Sequence, residues 1–323
     1  MKTIVRELFL FSGTSHPELS RNIAEFLGVE LGSVRVERFP DGEVFFQFLE
    51  NIRGGDVFIV QPTCYPSNDN IMELLIMLDA AKRASAHRVT AVIPYYGYAR
   101  QDRKDRPRVP ITAKLVADLL TSAGADRILT MDLHAQQIVG FFNIPVDHLY
   151  AAPVLISYLR EKLGVNGVVV SPDSGSVKMA QMYSDVLGAG FAVVAKRRTD
   201  AVSVESSHLV GDVKDRVCLI IDDLTSTFGT LISAEKLLRK NGAKKIIVAV
   251  SHCLLTELGI KKLIDSDVEE FITTNTVPLC DYSCDKIKTL SVAPVLGEAI
   301  RKIHIGGSLS TLFATVQEDA FGD

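Results

Sequence analysis

The sequence predicts an α/β architecture made of two copies of one unit. Three observations lead there. Short apolar runs alternate with amphipathic segments of helical period along all 323 residues. Two stretches share one plan: VFIVQPTCYPSNDNIMELLIMLDAAKRASAHRVTAVIPY from Val57, and VCLIIDDLTSTFGTLISAEKLLRKNGAKKIIVAVSH from Val217. Each is an apolar strand, a polar loop, a helix, then Arg or Lys leading into the next apolar strand. The length also suits two domains of ordinary size better than one.

In chain order, the runs Leu8–Ser12, Val57–Gln61, Val89–Pro94, Arg127–Met131, Val168–Ser171, Phe191–Ala195, Val217–Ile221, Ile246–Ser251 and Glu270–Thr273 read as strands. The alternation of such runs with helical patterns marks mainly parallel sheets, and a continuous apolar run such as Val217–Ile221 marks a strand buried on both faces. The two copies join near Leu149–Pro153. At the C-terminus a helix over Val292–Ile303 stops at Gly306 and Gly307, and a short helix starts at Ser308.

The composition is 47% apolar, ample for large cores, and the net charge of −4 gives no overall attraction to nucleic acid or to a membrane. Five scattered cysteines supply no complete metal-binding pattern; Cys280 and Cys284 alone are half a site. The N-terminus lacks an apolar signal core, and no apolar run approaches the ~18 residues of a membrane span. We expect a soluble, cytoplasmic protein.

The richest segment is VCLIIDDLTSTFGTLISAEKLLRK. Its apolar strand stops at Asp222 and Asp223, and a loop of small hydroxyl residues with one glycine leads into a helix. Such a loop turns backbone N–H groups and a positive dipole end toward an anion. Carboxylates beside it would accept from ribose hydroxyls, so a sugar phosphate fits. Ordinary hydroxyl caps on the helix fit the same residues. Phe39–Glu43, FPDGE, is a turn that brings Asp41 close to Glu43. The segment YARQDRKDRPRVP from Tyr98 gathers Arg100, Arg103, Lys104, Arg106 and Arg108, either a solvated loop or arginine forks for a polyphosphate. His134 in MDLH and Asp173 in SPDSG end two apolar runs and suit a divalent cation that also meets phosphates. Lys196, Arg197 and Arg198 precede Thr199–His208, a polar stretch read as a mobile loop. Cations there suit charge stabilisation in phosphoryl transfer.

Together these motifs resemble one family, the class I ribose-phosphate pyrophosphokinases. FPDGE, NDNIMELLIMLDAAKRASA, PYYGYARQDRK, VPITAKLVADLL, MDLHAQQIVGFFNIPVDHL, SPDSG, KRR and IIDDL with T-x-G-T occur in that family's order, from about Phe11 to Phe313. The resemblance implies two tandem type I phosphoribosyltransferase-like domains, each a mainly parallel sheet flanked by helices. Residues 1–150 with the C-terminal segment 300–323 would form the ATP side, and residues 151–299 the ribose 5-phosphate side. It implies transfer of the diphosphoryl group of MgATP to the C1 hydroxyl of ribose 5-phosphate, giving phosphoribosyl pyrophosphate and AMP. Dimers would assemble into a homohexamer.

By motif match, Asp41, Gly42 and Glu43 of a neighbouring subunit, with Arg100 and Gln101, would hold ATP. His134 and Asp173 would hold Mg²⁺. Lys196 and Arg198 would be catalytic. Arg198, Asp222, Asp223 and the loop Ser226, Thr227, Phe228, Gly229 and Thr230 would bind ribose 5-phosphate. Arg53, Ser85, Arg108, Ser308 and Ser310 match a regulatory site for phosphate or ADP. Four positions depart from the family pattern: Ser226 for Asp, Ala195 for an acidic residue, Ser176 for Gly and Met179 for Arg. All fall in the second domain. They raise two other readings, a catalytically weak regulatory paralogue and a diphosphokinase for another ribose phosphate. Purine-salvage phosphoribosyltransferases share the DD…T-x-G-T loop but need only one such domain.

Overall fold

The computed structural model describes residues 6–197, 206–279, 284–310 and 312, and for residues 196, 197, 206 and 207 the backbone alone. The described chain falls into two compact units. One holds the residues up to Tyr150 with Thr276–Pro278 and Val292–Leu312; the other holds Ala151–Asn275 and the described part of Leu279–Ser291.

The first unit is a five-stranded parallel sheet in the order β1 (Leu8–Ser12), β4 (Asp56–Val60), β5 (Arg88–Ile93), β6 (Arg127–Met131) and β7 (Val146–Leu149). Every residue of β4 is buried, the apolar run Val57–Val60 and the ion-paired Asp56 ahead of it alike. Helix α1 (Pro17–Leu27) starts with a proline in its first turn and ends at Gly28 in the left-handed conformation. A separate antiparallel hairpin, β2 (Val34–Arg38) and β3 (Val44–Phe48), precedes β4. Strand β2 carries three charges among half-buried valines, and β3 is half-buried except at Gln47, so neither has the fully buried run of the central strands. Helices α2 (Ser67–Arg83) and α3 (Thr112–Ala123) pack Leu74, Met77, Val116 and Leu120 into one core with Ile59, Val89 and Ile128 of the sheet.

The second unit opens with α4 (Ala152–Leu163), β8 (Gly167–Ser171), α5 (Val177–Leu187), β9 (Gly190–Arg197) and β10 (Ser206–Val210). It continues with β11 (Val217–Thr225), α6 (Gly229–Lys240), β12 (Lys245–Cys253), α7 (Glu257–Ile264), β13 (Glu270–Thr274) and β14 (Ile287–Leu290). Its seven strands run β10-β9-β8-β11-β12-β13-β14, parallel except for the edge strand β10. From β8 the chain builds outward to β9, then returns to the other side of β8 with β11. That reversal is a switch point, where open α/β sheets leave a crevice beyond the carboxyl ends of the strands.

Three expectations need correction. Strand β11 does not stop at Ile221 but runs through both aspartates to Thr225, because Asp222, Leu224 and Thr225 stay in register with Val250, His252 and Cys253 of β12. Residues 206–208, read as part of a mobile loop, lie in β10, where Ser206–His208 pair with Arg197–Ala195 of β9. The chain returns to the first unit for Thr276–Pro278 and again from Val292, rather than at residue 300, and α8 (Ala293–Ile305) lies wholly there. Charged groups fasten α8 to the sheet: buried Asp56 accepts from Arg88 Nε at 2.8 Å and pairs with His304 Nδ1 at 2.8 Å, and Arg88 Nη2 donates to the Ile303 carbonyl at 2.9 Å. Ser308–Ser310 are not helical, and most of the short helix expected from Ser308 lies outside the described residues.

Candidate active site

The expected site residues divide between the two units. In the first, Asp41, Gly42 and Glu43 form the exposed tip of the β2–β3 hairpin. Phe39 N donates to the Glu43 carbonyl and Gly42 N to the Phe39 carbonyl, each at 2.8 Å, and Gly42 takes a φ of 95° that favours glycine. Asp41 Oδ1 accepts from Glu43 N at 3.3 Å, so the turn sets the aspartate's direction. Arg100 and Gln101 follow β5, both exposed. Gln101 is held from two sides: its side-chain oxygen accepts from Thr112 Oγ1 at 2.5 Å and its backbone carbonyl from Ala113 N at 3.2 Å. The rest of the basic segment is largely exposed, and one of its cations, Arg106, pairs with Asp105 at 2.9 Å.

His134 sits exposed just beyond β6, ahead of a short 3₁₀ turn at Gln136–Phe141. Its approach is fixed by Asp132, at φ 39°, and by Leu133 N donating to His148 Nε2 at 2.9 Å. Of the residues matched to a regulatory site, Arg53 Nη1 donates to Ser85 Oγ at 3.3 Å, and the Ser308 and Ser310 hydroxyls are 2.7 Å apart. Ser85 and Arg108 both take left-handed backbone conformations.

In the second unit the carboxylates gather at the switch point. Asp173 follows β8; its Oδ1 accepts from Gly175 N at 2.8 Å and its carbonyl from Ser171 Oγ at 2.6 Å. Asp222 stands on β11 past Ile220, where pairing with β8 ends. Its Oδ1 accepts from Ser176 Oγ at 2.6 Å and from Asp223 N at 3.0 Å. Burial above all, with the Asp223 and Asp173 charges beside it, raises the Asp222 carboxyl to about 7 against the opposing hydrogen bonds from Ser176 and Asp223 N. A carboxylate so placed gains from neutralising company, whether a cation or donating hydroxyls.

The loop after β11 is anchored rather than loose. Thr225 and Ser226 carbonyls accept from Leu254 N at 2.9 Å and Thr256 N at 3.0 Å. Gly259 of α7 packs directly on this loop, since a Cβ there would lie 2.5 Å from the Ser226 carbonyl oxygen. Phe228 takes φ 59°, is 1% exposed, and packs edge-on against Phe271. It occupies the cap position of α6, and no side chain caps that helix. The reading of the loop hydroxyls as helix caps therefore fails. Thr227 is exposed, and Gly229 begins the helix.

Lys196 lies on β9 with its backbone paired to Ser207; Arg198 lies outside the described residues. Among the described residues, no three His, Cys, Asp or Glu side chains converge as a metal cage. Mg²⁺ itself keeps several waters and binds through one or two carboxylates together with substrate phosphates, so it does not require such a cage. Sequence reasoning missed two contacts, Ser176 with Asp222 and Gly259 with Ser226. Each joins residues more than 30 positions apart, and nothing local signals such a contact.

Comparison with known proteins gives a consistent result. Residues 8–124 match the model of the N-terminal domain of ribose phosphate pyrophosphokinase, and residues 203–314 that of the phosphoribosyl synthetase-associated domain. Ribose-phosphate pyrophosphokinase A of Dictyostelium discoideum is 51% identical over 308 residues, covering 94% of this chain and 97% of its own. Ribose-phosphate pyrophosphokinase of Clostridium perfringens is 51% identical over 318 residues, covering 97% and 99%. The crystal structure of phosphoribosylpyrophosphate synthetase from Mycobacterium smegmatis superposes with a TM-score of 0.89 at 44% identity, over 94% of this chain and 100% of that one. No helix among the described residues is long and apolar enough to cross a membrane.

Proposed function

The chain belongs to the ribose-phosphate pyrophosphokinase family, and from that premise we propose how its two units divide the reaction. The enzyme transfers the diphosphoryl group of ATP to ribose 5-phosphate. The C1 hydroxyl oxygen bonds to the β-phosphorus, the bond from that phosphorus to the α,β-bridging oxygen breaks, and AMP leaves with that oxygen while the hydroxyl proton is released.

The second unit binds the sugar phosphate. Asp222 and Asp223 accept from the ribose hydroxyls, and the amides of Ser226, Thr227, Phe228, Gly229 and Thr230 hold the 5-phosphate at the uncapped start of α6. The observation that carries this reading is the position of Asp222 and its loop at the switch point between β8 and β11. The first unit binds ATP through Arg100 and Gln101, with Asp41, Gly42 and Glu43 reaching over from a neighbouring copy. Lys196 and Arg198 offset the charge that builds on the non-bridging oxygens of the transferring group. His134 of the first unit and Asp173 of the second would each serve as a ligand for Mg²⁺, which when bound would supply positive charge to the phosphates.

The protein acts in the cytoplasm as dimers assembled into a hexamer, and phosphate or ADP binds at Arg53, Ser85, Arg108, Ser308 and Ser310. The similarity to synthetases over nearly the whole chain supports this enzyme over a weak regulatory paralogue or a different sugar phosphate.

Two experiments test the proposal. A coupled assay should record AMP formed in step with phosphoribosyl pyrophosphate when ATP, Mg²⁺ and ribose 5-phosphate are all present; AMP release independent of the sugar would contradict the reaction. Mixing inactive Lys196→Ala protein with a variant altered at Asp41 and Glu43 should restore part of the activity, because some mixed dimers carry one intact site. If subunits exchange and no activity returns, the shared site is wrong.

A further inference from the structure

We propose that Ser176 is a positioning residue for the sugar site: its hydroxyl locks the Asp222 carboxylate in one orientation and leaves the second oxygen for a ribose hydroxyl. The inference rests on the assignment of Asp222 to ribose 5-phosphate.

Four observations carry it. Ser176 stands at the cap position of α5, where a serine hydroxyl usually accepts from an amide of the first turn. It makes no such bond. Instead it donates to Asp222 Oδ1 at 2.6 Å, a charge-assisted contact between residues 46 positions apart. Both hydrogen bonds to Asp222 fall on this one oxygen, from Ser176 and from Asp223 N. Among the described residues, Oδ2 receives no protein donor.

The side chain is also well placed for the task. Ser176 is 8% exposed, so its hydroxyl is largely shielded from water, and α5 packs against both β8 and β11. The helix thus carries the serine as a fixed strut between the end of one switch-point strand and the carboxylate of the other. Asp222 works against two neighbouring negative charges, Asp223 and Asp173, and the serine is the side-chain group that favours its ionised form. Losing the hydroxyl would free the carboxylate to turn and would favour its proton. Both changes weaken acceptance from a sugar hydroxyl.

The test compares Ser176→Ala, Ser176→Thr and Asp222→Asn in the full chain, measuring KM for ribose 5-phosphate, KM for ATP, kcat and the thermal midpoint. Ser176→Ala should raise KM for ribose 5-phosphate by about tenfold, the worth of one charge-assisted hydrogen bond, with KM for ATP unchanged. Its thermal midpoint should hardly move, because no cap bond is lost. The acidic limb of the ribose 5-phosphate affinity profile should shift to higher pH. Ser176→Thr, which keeps the hydroxyl, should behave like the wild type and covers the case in which the alanine variant fails to fold. If Asp222→Asn weakens ribose 5-phosphate binding while Ser176→Ala leaves it unchanged, or weakens ATP equally, the positioning role is overturned. If Asp222→Asn itself leaves ribose 5-phosphate binding intact, the assignment of the sugar site fails instead.

Discussion

The two strand–loop–helix repeats begin alike and end differently. Asp56 pairs with Arg88 at the start of β4, and Val217 pairs with Lys245 at the start of β11. Five residues on, Gln61 and Asp222 occupy equivalent places. Gln61 is fully buried and spent: its oxygen accepts from Ser15 N at 3.1 Å and Ser15 Oγ at 2.6 Å, and its nitrogen donates to Glu73 at 2.9 Å. Pro62 follows, has no N–H to extend the ladder, and β4 ends at Val60. In the other copy Asp223 stands where Pro62 does, β11 runs on, and Asp222 keeps an oxygen without a protein donor among the described residues. Neither α2 nor α6 has a side-chain cap, so a bare helix start does not separate the two. What separates them is whether the polar atoms at the strand end are satisfied by the protein or left for a ligand.

The largest expected effect comes from the charge assigned to the second unit. Lys196→Ala should lower kcat by at least about 10²-fold while leaving ATP binding within about twofold, because the lysine serves the transition state. Unchanged turnover would remove the lysine from the mechanism.

A matched pair of glycines sharpens the comparison next. Gly259 abuts the Ser226 carbonyl, and Gly97 abuts the Thr63 carbonyl, where an added Cβ would lie 2.4 Å away. Alanine in a helix normally gains about 1 kcal/mol over glycine, but a clash with backbone costs about 1–3 kcal/mol, so the clash should win at Gly259. Gly259→Ala should raise KM for ribose 5-phosphate several-fold. Gly97→Ala should destabilise the first unit and leave that KM alone. Equal effects on ribose 5-phosphate from both variants would erase the distinction between the loops.

The smallest effect is on stability and pH. Asp222 holds its proton up to about 7 when folded, against an ordinary value of 3.8. The folded state therefore binds that proton more tightly than the unfolded chain, and its stability contribution is lost as pH rises from about 4 through 7. Asp222→Asn avoids that loss, so its thermal midpoint relative to wild type should be higher at pH 8 than at pH 5. A gap that does not change with pH would mean that Asp222 ionises normally.

The parallel strands and the repeat were legible because fully buried strands leave continuous apolar runs, as in Asp56–Val60 and Gly167–Ser171. The hairpin carrying Asp41 was seen only as a turn, since its strands hide little surface. The extension of β11 was unreadable: two aspartates look like a strand end, and only their register against Val250 and His252 shows otherwise. The motifs supplied the candidate site residues. They could not reveal that Ser176 reaches Asp222, because the contact depends on how α5 lies against β11.

Amide hydrogen exchange with and without ribose 5-phosphate tests the contrast between the two loops most directly. The account predicts slowed exchange across residues 226–231 at the start of α6, and no change across residues 61–67 at the start of α2. Protection at the first loop, or at both alike, would contradict it.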